Sequence, residues 1–155
     1  MPHINYAVDL TVEVFVVYEN KVLLRKHDKY GIWLSVGGHI EPNEDPNQAA
    51  VREVKEEVGL TVELIPTTDI LNIELDKYKH LIAPAFINRH HINDVHDHAT
   101  MVYFAKTDSD KVKQGDREIS EDWKWFTLEE LEALSEGITE TVRHYAKTAL
   151  KTVKN

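Results

Sequence analysis

At 155 residues, 42% hydrophobic and 29% charged, the chain can bury a proper core and reads as one globular domain over residues 1–155. A formal net charge of −9 argues against a surface that binds duplex nucleic acid, and no apolar run approaches the roughly 20 residues of a membrane helix. With no cysteine there are no disulfides, thiolate metal sites or cysteine nucleophile, and no basic-then-apolar leader opens the chain, so a cytoplasmic location is expected.

Residues 11–18, TVEVFVVY, are β-branched and aromatic and predict a buried strand. Residues 19–21 turn it back into Val22-Leu23-Leu24 as a hairpin. Arg25, Lys26, His27 and Lys29 then cluster, and Arg25 is a candidate contact for substrate phosphate. The competing reading of that cluster is a solvated loop. Trp33 is expected as a core wedge beneath the glycines that follow, and Leu34-Ser35-Val36 leads into a tight turn at Gly37-Gly38. Asp45 as N-cap, Pro46 at the first helical position and Gly59 at the end delimit a helix, with Val51, Val54 and Val58 as its apolar stripe.

Beyond the helix, residues 60–65 and 70–75 predict strands. Residues 80–88 are apolar but carry Pro84, which leaves an edge strand, a bulged strand or a buried loop. Residues 100–105 and 123–126 predict strands, and 107–115 a surface loop. Thr127 and Glu130 form a capping box for a helix running to Leu134. Residues 138–153 are helical, with Val142, Tyr145, Ala146 and Ala149 as the buried side. This order predicts an α+β fold, a mixed sheet with helices packed against it.

The chemistry concentrates in the first helix. Glu53, Glu56 and Glu57 fall at i, i+3 and i+4 on a face apart from the valine stripe, where three carboxylates repel one another unless a cation joins them. The bland alternative is a solvated surface helix whose acids pair with Arg52 and Lys55. Spacing weighs against it. From Gly38, five residues lead to Glu44 and seven more to Arg52-Glu53, followed by Val54, one free position, Glu56-Glu57, one more, Gly59 and Leu60. This pattern resembles the signature of the Nudix hydrolases, and every defining position is matched.

The resemblance implies a Nudix fold, a mixed sheet sandwiched between helices, and hydrolysis of a small-molecule phosphoanhydride: a nucleoside diphosphate linked to another moiety. It implies Mg²⁺ or Mn²⁺ held by Glu53, Glu56, Glu57 and the Gly37 carbonyl, as hard cations favour oxygen donors. Arg52 and Glu44 become supports for the glutamates and loop, with Gly38 and Gly59 shaping the backbone. Water, activated by the metal, attacks phosphorus, and Glu53 is one candidate for the general base. Glu118 and Glu121 are further candidates for base or metal ligand, against a plain reading as surface acids. Val36 replaces the proline that many relatives carry before the glycines.

His80, His90, His91, His96 and His98 lie within 19 residues. His96 and His98, at i and i+2, point to one side and are candidates for substrate or metal binding, against a solvated loop. Family members that prefer ADP-ribose carry a proline about fifteen residues beyond the signature, where this chain has Leu75; those that prefer dinucleoside polyphosphates carry a tyrosine close to the position of Tyr78. Capped RNA completes the substrate range that the resemblance leaves open. A homodimer is also compatible, residues 80–88 serving either as contact or as core. Two other classes share the fold. Isopentenyl diphosphate isomerase relies on a cysteine absent here, and non-catalytic nucleotide sensors usually degrade the signature that this chain keeps.

Overall fold

Strand β1 (Val8–Tyr18) sets the frame, because alternate residues of a strand face opposite sides of a sheet. In the computed structural model, which describes residues 8–115 and 122–154, Val12, Val14 and Val16 face α1 (Pro46–Val58) and meet its Ala50, Val54 and Val58 in one core. Phe15 and Val17 face the other way, toward Val142, Tyr145, Ala146 and Ala149 of α3 (Glu140–Thr152). Helix α2 (Leu128–Ala133), started by the Thr127–Glu130 capping box, adds Leu131 to this second core. Mixed sheet and flanking helices together make the expected α+β architecture. No helix among the described residues is long and apolar enough to cross a membrane.

β1 runs parallel to β7 (His96–Lys106). Its other edge is shared: β4 (Val36–His39) lies antiparallel along the first half, and β2 (Lys21–His27) along the last residues. Outside β2 come β3 (Ile32–Leu34) and β8 (Trp123–Phe126). Outside β7 come β5 (Glu63–Leu64) and β6 (Phe86–Asn93). At Ser35 the chain therefore leaves one partner strand, β2, for another, β1.

Several local expectations change in this setting. The hairpin turn is only Glu19-Asn20, both at positive φ (42° and 62°), while Lys21 already pairs with Tyr18. Arg25, Lys26 and His27 belong to β2 and not to a loop. Gly37 and Gly38 form no turn: they pair with Glu13 and Val12 inside β4. Trp33 packs edge-on against Phe126 (5.0 Å) on the α3 side, away from the glycines. Residues 70–75 alternate like a strand but join no strand of the sheet; only a Leu75–Tyr78 bridge forms. Strand β6 starts at Phe86, after Pro84, and is an edge strand.

Both ends of α1 follow from local chemistry. The Asp45 side chain accepts from the Gln48 N–H, the Gln48 side chain accepts from the Asp45 N–H, and Pro46 occupies the first turn. At the other end Gly59 sits at φ +72° and donates to the Lys55 carbonyl. Residues 107–115 are more than a surface loop: Lys113 and Gly115 donate to the Val58 and Glu57 carbonyls, satisfying acceptors the helix end leaves open. A methyl group on Gly59 would stand 2.8 Å from the Lys113 carbonyl oxygen. Gly59→Ala is therefore expected to cost about 1–2 kcal/mol from the left-handed backbone alone, read by urea denaturation. An unchanged midpoint would show that the cap tolerates a side chain.

Candidate active site

Arg52, on α1, is surrounded by the acids of its own segment. Its Nη2 and Nε donate to Glu44 (2.5 and 2.9 Å), and Nη1 donates to Glu53 (2.9 Å) and Glu56 (3.1 Å). Nη2 also donates to the His39 carbonyl (3.0 Å), tying the helix to β4. Glu44 accepts in addition from the Glu41 N–H. These hydrogen bonds hold the Glu44 carboxyl below its ordinary range and push the Arg52 guanidinium above its own.

Helical geometry gives the three signature glutamates different surroundings. The buried side of α1 runs through Ala50, Val54, Glu57 and Val58, so Glu57 takes a place in the apolar stripe, while Val51 is exposed. Buried Glu57 (6% exposed) accepts from Arg25 Nη1 at 2.8 Å and from the Gly37 N–H at 3.2 Å. Arg25 itself is only 7% exposed, so the structure sets it behind Glu57 and not at an open surface that meets substrate. Glu53 is largely covered and lies over Gly38, whose added Cβ would come within 2.5 Å of the Glu53 carboxyl carbon. Glu56 turns toward solvent. A Cβ on Gly37 would overlap the Val12 carbonyl oxygen. Gly37 is thus demanded by the close approach of the β1 backbone, and Gly38 leaves room for the Glu53 carboxylate of α1.

On the other side of β4 opens a cleft of about 730 Å³. Its floor is the polar part of the β1 face: Thr11 and Glu13 stand there, on the side that farther along is apolar Phe15 and Val17. Gly37, Gly38, His39, His90 and His98 line it, and His27 at the end of β2 and Lys29 in the β2–β3 connection reach it. Thr11 and Thr100 share a buried hydroxyl hydrogen bond of 2.6 Å. Glu13 accepts from the Ser35 hydroxyl (3.1 Å), yet burial pushes its carboxyl above the usual value. His98 faces the cleft, and burial together with the neighbouring His39, His90 and His96 lowers its proton affinity. His96 lies beside it, ring centroids 5.2 Å apart. Glu118 and Glu121 fall outside the described residues.

Helix carboxylates gathered by an arginine thus lie one strand away from a cleft lined with imidazoles, on a fold of hydrolases that act on pyrophosphate bonds. Residues 9–146 match the NUDIX domain, and the chain belongs to that family of hydrolases. A NUDIX-family hydrolase from Clostridium perfringens shares its structure with a TM-score of 0.84 at 37% identity, over 92% of this chain and 96% of that one. Isopentenyl-diphosphate Delta-isomerase 1 of Aromatoleum aromaticum is 29% identical over 138 residues, 84% of this chain and 69% of that protein. The CTP pyrophosphohydrolase of Escherichia coli is 38% identical over 53 residues, 32% of this chain and 39% of that protein.

Sequence reading passed over Asp9, Glu13 and His39. One signal was available: residues 9, 11 and 13 are polar at strand spacing, ahead of apolar 15 and 17, which marks a face that leaves the core midway. The Arg52 cluster yields a pH test. The folded Glu44 carboxyl lies below its unfolded value of about 4.3, so its contribution is complete above that pH and fades as pH falls through the folded value. Glu44→Gln is expected to cost about 1–2 kcal/mol at neutral pH. The gap from wild type should narrow as pH drops from about 5 to about 3 in urea titrations. A gap that is constant with pH would mean the ionised form carries no advantage.

Proposed function

We propose that this chain is a Mg²⁺- or Mn²⁺-dependent pyrophosphohydrolase that cleaves a nucleoside diphosphate joined to another moiety, its substrate lying in the cleft beside β4. The observation that carries this reading is the fixed pair Glu53 and Glu57, one over Gly38 and the other between Arg25 and Gly37, across the thin β4 backbone from a cleft with cationic and imidazole side chains. The donor set suits a hard divalent ion: Glu53, Glu56, Glu57 and the Gly37 carbonyl offer oxygens from one helix and the adjacent strand. Such an ion, when bound, neutralises phosphate charge and makes a water more acidic. The name of the E. coli relative, CTP pyrophosphohydrolase, supports a nucleotide substrate.

In this reading each residue has a physical task. Arg52 keeps Glu53 and Glu56 together against their mutual repulsion, and Glu44 holds the guanidinium in place. Arg25 acts as a positioning residue, fixing the rotamer of Glu57. Glu53 accepts the proton of the attacking water as general base. Lys29 and His27 receive the phosphates that the acids would otherwise repel. A second reading, isomerisation of a small diphosphate, is favoured by the isomerase relative, but the cysteine that chemistry relies on has no counterpart in this chain.

Phosphate and pyrophosphate release would be followed on nucleoside triphosphates, ADP-ribose, dinucleoside polyphosphates, capped RNA and isopentenyl diphosphate, each with and without Mg²⁺. Metal-dependent hydrolysis of a nucleotide is expected; isomerised product without phosphate release would establish the second reading. Glu53→Gln should keep the fold, whereas Glu57→Gln should lose about 3–5 kcal/mol of stability by removing the charge that Arg25 meets. Folded samples of both should lose about 100-fold or more in kcat, since metal-assisted charge stabilisation is worth several kcal/mol. Near-wild-type turnover in both would refute these roles. Gly38→Ala should also lose roughly 100-fold, because its methyl displaces the Glu53 carboxylate by about an ångström.

A further inference from the structure

A second group of ligating side chains lies apart from the acidic helix. Asp9 of β1, His39 of β4 and His98 of β7 each bring one donor atom to a common point, all within 4.8 Å of one another. Strand register produces this meeting. Asp9 and His98 are direct partners across the parallel pair, and His39 stands opposite Thr11, one same-face step from Asp9. His39 Nε2 lies 3.5 Å from Asp9 Oδ2, and His96 Nε2 lies 3.7 Å from the same oxygen. His90 is the cross-strand partner of His98, with ring centroids 5.5 Å apart.

We propose that Asp9, His39 and His98, with His96 as fourth donor, form a second metal site, suited to a borderline transition-metal ion such as Zn²⁺ and distinct from the helix carboxylates. Imidazole nitrogens joined to one carboxylate are a donor set for Zn²⁺ and its neighbours and a poor one for Mg²⁺, which wants oxygens. Bonds of about 2.0–2.2 Å place tetrahedral donors roughly 3.4 Å apart, so closing the Asp9, His39 and His98 donors on an ion takes movements of about an ångström.

The hydrogen bonds around the cluster already prepare it. The Asn93 side-chain oxygen accepts from the Val95 and His96 backbone N–H groups, which identifies it as an acceptor. His96 Nδ1, 3.2 Å from that oxygen, therefore donates to it, which leaves Nε2 as the nitrogen turned toward Asp9. This is the outer-shell arrangement by which proteins set the tautomer of a metal-binding histidine. The backbone beneath is fixed as well: Arg52 holds the His39 carbonyl, and the Thr11–Thr100 hydroxyl bond ties β1 to β7 one same-face step away. Protonated imidazoles catching a phosphate would be the rival use of these residues. Asp9, whose Oδ2 faces both His39 and His96, gives this point a carboxylate that complements a cation and repels an anion.

The test reads metal binding without turnover, so its outcome is independent of the hydrolase reading. The full chain, stripped with chelator, is titrated with Zn²⁺ by calorimetry in excess Mg²⁺, and with Co²⁺ by visible absorption. One tight equivalent is expected in wild type and in Glu53→Gln/Glu57→Gln. Outer-shell changes alone cost roughly 10–100-fold in affinity, so His39→Ala/His98→Ala should weaken Zn²⁺ by about 100-fold or more. Asp9→Asn, nearly isosteric and on the surface, should weaken it at least about tenfold and covers the case in which the double variant misfolds. No tight equivalent in wild type, affinity unchanged in Asp9→Asn or in a folded double variant, or loss of binding in Glu53→Gln/Glu57→Gln would each overturn the proposal.

Discussion

Four carboxylates, those of Glu41, Glu44, Glu53 and Glu56, lie within 4 Å of the Arg52 guanidinium. Without it they would repel one another and the end of the segment would splay. Because Arg52 also grips the His39 carbonyl, the charge that gathers the acids also docks the helix on the sheet. Apolar burial of Ala50, Val54 and Val58 seats one side of α1, and ionic hydrogen bonds locate the other. The helix is thereby held in rotation as well as in place.

The buried Arg25–Glu57 pair extends that logic into the core. Two charges taken from water gain little net stability, but they punish any arrangement in which one lacks the other. Here the penalty enforces one position of Glu57 relative to β2 and β4, because Gly37 donates to the same oxygen as Arg25. Only the backbone of β4 separates the carboxylates from the cleft, with no side chain at positions 37 or 38 to thicken the wall.

What could be read from the sequence was what local chemistry decides. Asp45, Pro46 and Gly59 mark the limits of α1 by rules that involve only their neighbours, and the buried residues of α3 follow from period alone. The acidic helix was equally plain, since its spacing is contained in one segment. Hidden were the features set by distant partners. Glu57 is a core residue only because Arg25, 32 positions away, meets it. Residues 70–75 have the alternation of a strand but pair with no strand of the sheet. Gly37 and Gly38 look like a turn until the carbonyl of Val12 and the carboxylate of Glu53 are seen pressing on them. Asp9, His39 and His98 come together only through two strand pairings.

The divided character of β1 carries a consequence for how faithfully the chain assembles. Asp9, Thr11 and Glu13 share a side with Phe15 and Val17, while Val12, Val14 and Val16 share the other. A shift of one residue against β7 would drive Asp9, Thr11 and Glu13 into the apolar contact with α1 and strip Phe15 from its seat beneath α3. Both halves of the strand resist that error, one by the cost of unsolvated carboxylates and the other by the loss of packing. The polar stretch that floors the cleft therefore also guards against misalignment at the centre of the sheet.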